Sequence, residues 1–260
     1  QINDRMSFMR FLGINLCEKV PDAKTIWKFK NDLAETETVD KLFCMFDEHL
    51  ENKGLISHKG TIVDATFVDA PRQRNSRDEN KKIKNGVIPE GWEKPENKSK
   101  LAQKDIDADW TKKNGERHFG YKDHVKCDAD SKLITNYSVT SASVHDSQRC
   151  LVFIGQEDEV LYADSAYSGK PIALALPENC KNQICEKGYR NSPLTSEQKM
   201  NNRRKSRIRC RIEQIFGFMT GAMHGITIRS IGITRAWMNI GITNLVYNFC
   251  RYSYLKGASA

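Results

Sequence analysis

Apolar residues recur at helical spacing through residues 1–58. They merge into a near-continuous run at Gly60–Pro71, almost vanish between about 72 and 117, and then alternate with polar residues. In the first stretch Phe8, Phe11 and Leu12 share a helical face, and Pro21 with Asp22 marks the start of a second helix through "PDAKTIWKFKNDL". A third helix runs through "VDKLFCMFDEHLENKG" and stops at Gly54. Residues 1–58 are therefore expected to form an N-terminal helical lobe. It serves either as a DNA-binding module or as a packing and dimerisation lobe. Its opening, "QINDRMSFMRFLGI", has the character of the interior of a helical region in a longer chain.

The run "GTIVDATFVDAP" predicts a buried strand, with Asp64 in its middle. The next 45 or so residues, about 72–117, are rich in Lys, Arg, Asn and Glu. They hold too few aliphatic side chains to fold alone and are expected to form a mobile insertion, either a contact for DNA or a partner subunit or, as the composition favours, a solvated tether. Within it, "KDIDADWTKKNGER" predicts a short helix. Beyond it, "HFGYKDHVKCDA" and "LITNYSVTSAS" alternate as an antiparallel pair around "DSK". A helix at "HDSQRCLVFIG", a strand at "DEVLYADSAY", a helix at "SGKPIALALPENC" and a strand at "KNQICEKGY" follow. A long basic helix from Ser196 to about Thr220 and an amphipathic C-terminal helix close the chain. This order suits an α/β, ribonuclease H-like fold: residues 59–260 as one domain around a mixed five-stranded sheet flanked by helices.

Charge and cysteine content narrow the class. The 260 residues carry a formal net charge of +8, compatible with a polyanionic partner. The eight cysteines are dispersed without a CxxC pair, as expected of reduced thiols in a cytosolic protein rather than a disulfide framework. No apolar run is long enough to cross a bilayer.

A carboxylate inside a strand is costly unless something charged meets it. Asp164 ends "EVLYAD", at the carboxyl end of a strand, where open α/β sheets bind ligands. In a ribonuclease H-like sheet the first and fourth strands are neighbours, so Asp64 and Asp164 face each other, and a divalent cation would relieve their repulsion. On the basic helix, Ile208, Ile212, Ile215 and Met219 form a core-facing stripe beside Glu213. Arg209 lies one turn before Glu213, either as an ordinary ion pair or as the holder of that carboxylate or of a phosphate. Arg203, Arg204, Lys205 and Arg207 on this helix, and Lys122 on the second strand, are candidate contacts to a nucleic-acid backbone.

Four blocks, "TIVDATFVDAP", "GYKDHVKCDADSKLITNYSVTSASVHDS", "VLYADSAYSG" and "SRIRCRIEQIFGFMTG", resemble in order the catalytic blocks of DDE transposases of bacterial insertion sequences, the group called insertion sequence family five. "SFMRFLGINLCEKVPDAKTIWKFKNDL" resembles the helical block that precedes them in that group. The resemblance implies a catalytic triad of Asp64, Asp164 and Glu213 that binds two Mg²⁺ (or Mn²⁺) ions. It also implies double-stranded DNA as partner, both element ends and target, a homodimer in the active complex, no membrane, and a bacterial cytoplasmic setting at the nucleoid. Arg209 fits the arginine of a broader family pattern, whereas Ser206 and Thr220 stand where that pattern has Tyr and Lys. A nuclease of the same fold without strand transfer, and an inactive DNA-binding remnant, are the alternative readings.

Overall fold

The computed structural model describes residues 1–113 and 115–258. Three helices open the chain: α1 (Met6–Leu12), α2 (Ala23–Glu35) and α3 (Thr38–Asn52). The start signal at Asp22 works as expected, since its carboxylate accepts the Thr25 N–H at 2.7 Å and so caps α2. Gly54 takes the left-handed conformation, φ 66°, just beyond α3. Of these, α2 and α3 pack against the C-terminal helix α9 (Ile233–Ala258). Phe43 of α3 enters the main core and meets Tyr137 edge-on at 5.0 Å.

The mixed sheet comprises β1 (Thr61–Asp69), β2 (Asp109–Lys113), β3 (Glu116–Asp128), β4 (Ile134–Ser141), β5 (Val160–Tyr162) and β6 (Lys181–Asn182). β1 lies between an antiparallel β3 and a parallel β5; β6 continues beyond β5, and both β2 and β4 pair with the far side of β3. The described residues thus hold six strands rather than the expected five. The additional one is β2, where a short helix was expected. Trp110 and Thr111 favour a pleated surface, and pairing with β3 seats Trp110 5.1 Å from Phe119, so tertiary pairing overrides the local helical signal.

Successive β1 side chains face opposite sides. Ile62 and Val68 join Val125 and Cys127 in a core closed by α8 (Ser196–Gly221) and α9. Val63 joins Leu161 on the other face, under α6 (Ser147–Phe153) and α7 (Lys170–Ala175). Of the expected α8 stripe, Ile212, Ile215 and Met219 are buried and Ile208 is partly buried.

The stretch 72–117 departs most from expectation, because it is folded. α4 (Arg77–Lys84) opens with a reciprocal capping box between Ser76 and Glu79, and α5 (Lys98–Ala102) follows. Trp92 is 2% exposed; its Nε1–H donates to Glu79 Oε1 at 2.9 Å, and the Lys100 and Lys104 ammonium groups stand 4.9 and 5.5 Å from its ring. The Tyr121 hydroxyl of β3 donates to buried Asp105 at 2.7 Å and ties the segment to the sheet. The segment folds on the sheet rather than alone, around Trp92, Ile83 and polar bonds, with few aliphatic side chains. Within β3 Gly120 holds φ 147°, and a Cβ there would lie 2.3 Å from the Val68 carbonyl oxygen, so only glycine permits this close approach of β3 to β1.

Beneath the sheet, Asn244 of α9 donates to Asp123 Oδ1 at 3.2 Å, while Asp123 Oδ2 and Asn244 Oδ1 are buried without hydrogen-bond partners among the described residues. Burial pushes the Asp123 carboxyl up from 3.8 to about 7, against the pull of the Asn244 bond. Between those values the folded chain holds a proton that the unfolded chain has released. The stabilisation is therefore complete at low pH and is lost as pH rises towards about 7. Asp123→Asn supplies an uncharged donor at the same position. It is expected to flatten the decline of Tm between about pH 4 and pH 7, followed by circular dichroism; an unchanged decline would show that Asp123 is charged in the fold.

Candidate active site

Asp64 and Asp164 come together through the β1–β5 ladder. Ile62 pairs with Tyr162, and each aspartate lies two residues further along its own chain. Asp164 caps a short 3₁₀ turn, Ser165–Tyr167; its Oδ1 accepts the Ala166 N–H at 2.7 Å, and its second oxygen has no hydrogen-bond partner among the described residues. Asp64 Oδ1 accepts the Ala65 N–H at 2.8 Å, and its Oδ2 accepts Arg209 Nη1–H at 2.9 Å. Burial raises the Asp64 carboxyl to about 6; the Ala65 bond and the Arg209 and Lys113 charges lower it, and the Asp164 charge raises it.

Glu213 enters through α8. Arg209 lies one turn earlier and donates from Nη2 to Glu213 Oε1 at 2.7 Å. One guanidinium therefore spans Asp64 and Glu213, pairing within α8 and across to β1. Asp164 also acts on it, adding to the attraction that raises the Arg209 pKa against the cost of burial. The donor atoms of the three acids do not all close to within 4.8 Å of one another, the spacing of a ready-made metal cluster. Their chemistry nevertheless fits a hard divalent cation: the three residues offer carboxylate oxygens only, from three separate elements, around a point that already holds positive charge.

The expected nucleic-acid contacts separate into two groups. Arg203, Arg204 and Arg207 are exposed, and their side chains have no partner among the described residues; Arg203 and Arg207 line a shallow groove on α8. Lys205 turns inward, donating to the Ile184 carbonyl at 2.9 Å with Glu186 at 3.9 Å, and so pins the chain after β6 to the helix. Lys122 departs from expectation. It is 7% exposed, donates to the Val144 carbonyl at 2.6 Å and to Asp146 at 2.7 Å, and lies 5.3 Å from the Phe67 ring. Its position on β3 turns the ammonium under the sheet, so it organises the strand rather than facing a ligand. Ser206 and Thr220 are engaged locally, with Cys185 Sγ and the Phe216 carbonyl.

Residues that the sequence did not mark also surround the site. The Tyr167 hydroxyl is buried without a hydrogen-bond partner among the described residues, and burial, followed by the Asp64, Asp146 and Asp164 charges, pushes its pKa up. Lys113, at the end of β2, acts on Asp64 from the inserted segment. The signal for Lys113 was absent, since it stands in a polar run with no local partner. A different group, His58, Glu157 and Asp158, does bring its donor atoms within 4.8 Å of one another. There Lys126 stands 2.9 Å from Asp158 and already supplies the positive charge.

Residues 56–249 match the family model described as "Transposase DDE domain". The chain belongs to this DDE transposase family. Residues 1–32 match a second model, "Transposase domain (DUF772)". Among solved structures it is similar to "Cryo-EM structure of piggyBac transposase synaptic complex with hairpin DNA (SNHP)", at 9% identity and a TM-score of 0.40, over 76% of this chain and 48% of that one. The chain thus spans about half the length of that transposase.

If Arg209 stands where a cation binds, removing it frees the acids. Arg209→Met is expected to tighten Mn²⁺ binding, about tenfold for each 1.4 kcal/mol of ion pairing released. Electron paramagnetic resonance of free Mn²⁺ measures this without any reaction. Unchanged or weaker binding would show that the guanidinium and the metal do not share a place.

Proposed function

We propose that this domain cleaves the ends of a DNA element and joins them to target DNA by metal-dependent phosphoryl transfer, with Asp64, Asp164 and Glu213 as the catalytic acids. The observation that carries it is Arg209 spanning Asp64 and Glu213 beside Asp164: acids from β1, the end of β5 and α8 converge on one positive charge. The placement of β1 between antiparallel β3 and parallel β5 supports a ribonuclease H-like reading of the sheet. The family match supports the reaction class.

Two Mg²⁺ or Mn²⁺ ions, when bound, would activate water or a DNA 3′-hydroxyl and stabilise the departing 3′-oxygen. Asp64, Asp164 and Glu213 would together hold the ions. The Ala65 and Ala166 N–H groups hold Asp64 and Asp164 by one oxygen each and so fix their orientation. Arg209, released from the carboxylates, is then free to meet a phosphate, and Arg203, Arg204 and Arg207 provide further backbone contacts along α8. Lys122 and Asp146 brace the strand behind the site. We further propose double-stranded DNA, both element ends and target, as partner, and a homodimer as the active complex in the bacterial cytoplasm. The insertion sequence family five group is the setting that the sequence blocks favour.

The test uses pre-nicked element ends with a target plasmid and Mn²⁺. Joined products are expected; cleavage without joining would favour a nuclease instead. Asp64→Asn, Asp164→Asn and Glu213→Gln are each expected to lower the rate by at least about 100-fold, since each removes a ligand of ions worth several kcal/mol to the transition state. A Glu213→Gln variant with full activity would remove this residue from the mechanism.

A further inference from the structure

We propose that the segment between β1 and β3 carries a second DNA-contacting surface, a basic groove between α4 and the β2–β3 hairpin that grips the phosphate backbone of duplex DNA leading into the Asp64 site. It rests on the transposase reading for the identity of its ligand; the groove itself stands on separate observations.

The first is the placement of charge. Arg77, Lys81 and Lys84 follow one another at i, i+4 and i+7 on α4, so they form one stripe. Across the hairpin Lys112 pairs directly with Arg117, and paired residues of an antiparallel ladder share a face. All five line one groove together with Trp110.

The second is the lack of compensation. All five residues are exposed, and among the described residues none of their side chains has an ion pair or a hydrogen bond. The acid lining the groove, Asp109, has its Oδ1 engaged by the Trp110 N–H at 2.6 Å. On α4, Glu79 is taken up by Ser76, Trp92 and Lys100. Like charges one helical turn apart, and like charges directly opposite across two strands, repel. An arrangement that gathers both kinds of repulsion in one groove is relieved by a polyanion.

The third is position. The opposite face of the hairpin meets β1, whose backbone comes close to β3 at Gly120. There the His118 ring stacks on Phe67 at 4.3 Å, and the Lys113 ammonium stands 5.5 Å from the same ring. Phe67 is on the Asp64 strand, though on its opposite face, and Lys113 at the end of the hairpin acts on the Asp64 carboxyl, so the hairpin borders the site.

Chemistry and dimensions select the ligand. From Arg77 to Lys84 the stripe runs about 10 Å along the helix, which matches roughly three steps of one DNA strand at 3.4 Å each. A single-stranded ligand would need exposed aromatic faces for its bases. Trp110 does not offer one, since Arg72 covers it at 5.8 Å and Phe119 packs at 5.1 Å.

The experiment measures fluorescence anisotropy of a labelled duplex of about 30 base pairs and arbitrary sequence, in EDTA, across a salt series. Without metal the readout is independent of catalysis. A variant carrying Arg77→Gln, Lys81→Gln and Lys84→Gln is expected to lose affinity and to reduce the slope of log K against log salt by about 2.7, at 0.9 per lost phosphate contact. Lys112→Gln with Arg117→Gln is expected to reduce it by about 1.8. Thermal midpoints and Trp92 fluorescence check that both variants are folded. Wild-type affinity and slope in both variants would overturn the inference, and in that case a loss in an Arg203→Gln, Arg207→Gln variant would leave the transposase reading standing. A loss confined to a single-stranded probe would overturn the assignment to duplex.

Discussion

A carboxylate in the middle of a buried strand must be met by positive charge, and the arrangement of this domain around the site follows from that constraint. Asp64 faces the side of β1 that α8 covers. The parallel β5 brings Asp164 alongside and raises the electrostatic cost. Arg209 answers it from α8, and its span across Asp64 and Glu213 ties the helix to the sheet at the point where the strand is least apolar.

The same rule holds elsewhere in the sheet with a different outcome. Lys122 meets Asp146 and Lys126 meets Asp158, and both lysines are almost completely buried. Pairs of this kind are held firmly, because removing one partner leaves a desolvated charge. The five exposed cations of the α4–hairpin groove contrast with these buried pairs, since none of their side chains has an ion pair among the described residues.

Legibility in the sequence followed the range of the interactions. β1, β3 and β4 were visible because β-branched and apolar residues alternate locally, and α2 because Asp22 caps it. The acids stood out because charge in an apolar strand, or beside a core-facing helical stripe, breaks the local pattern. The link that joins them was not visible, since Arg209 and Asp64 lie 145 residues apart. Lys122 was misplaced for a related reason: alternation gives the face of a strand residue but not its partner, and Asp146 lies 24 residues away. The folded state of 72–117 was hidden because its anchor is Trp92 held by polar bonds, and its attachment is Tyr121 meeting Asp105 from outside the segment. Composition counts aliphatic residues and does not register a core of that kind.

Exchangeability of the resident cation separates the Asp64 site from the other acid–base pairs. At the His58 group, Lys126 is 6% exposed and Asp158 is 1% exposed, with Asp158 also bonded to Thr61 and Gly155. Displacing that ammonium would strand it in a dry environment and break a bonded network. At Asp64 the arginine is 20% exposed and its second partner, Glu213, is 56% exposed. A guanidinium at such a rim can turn towards solvent or towards an arriving phosphate at far lower cost, and a hard cation is better matched to the carboxylate oxygens it leaves behind. On the proposed reading, a looser set of acids whose present counter-charge is free to leave suits an exchangeable metal better than a ready-made cluster of donor atoms already neutralised by a buried ammonium.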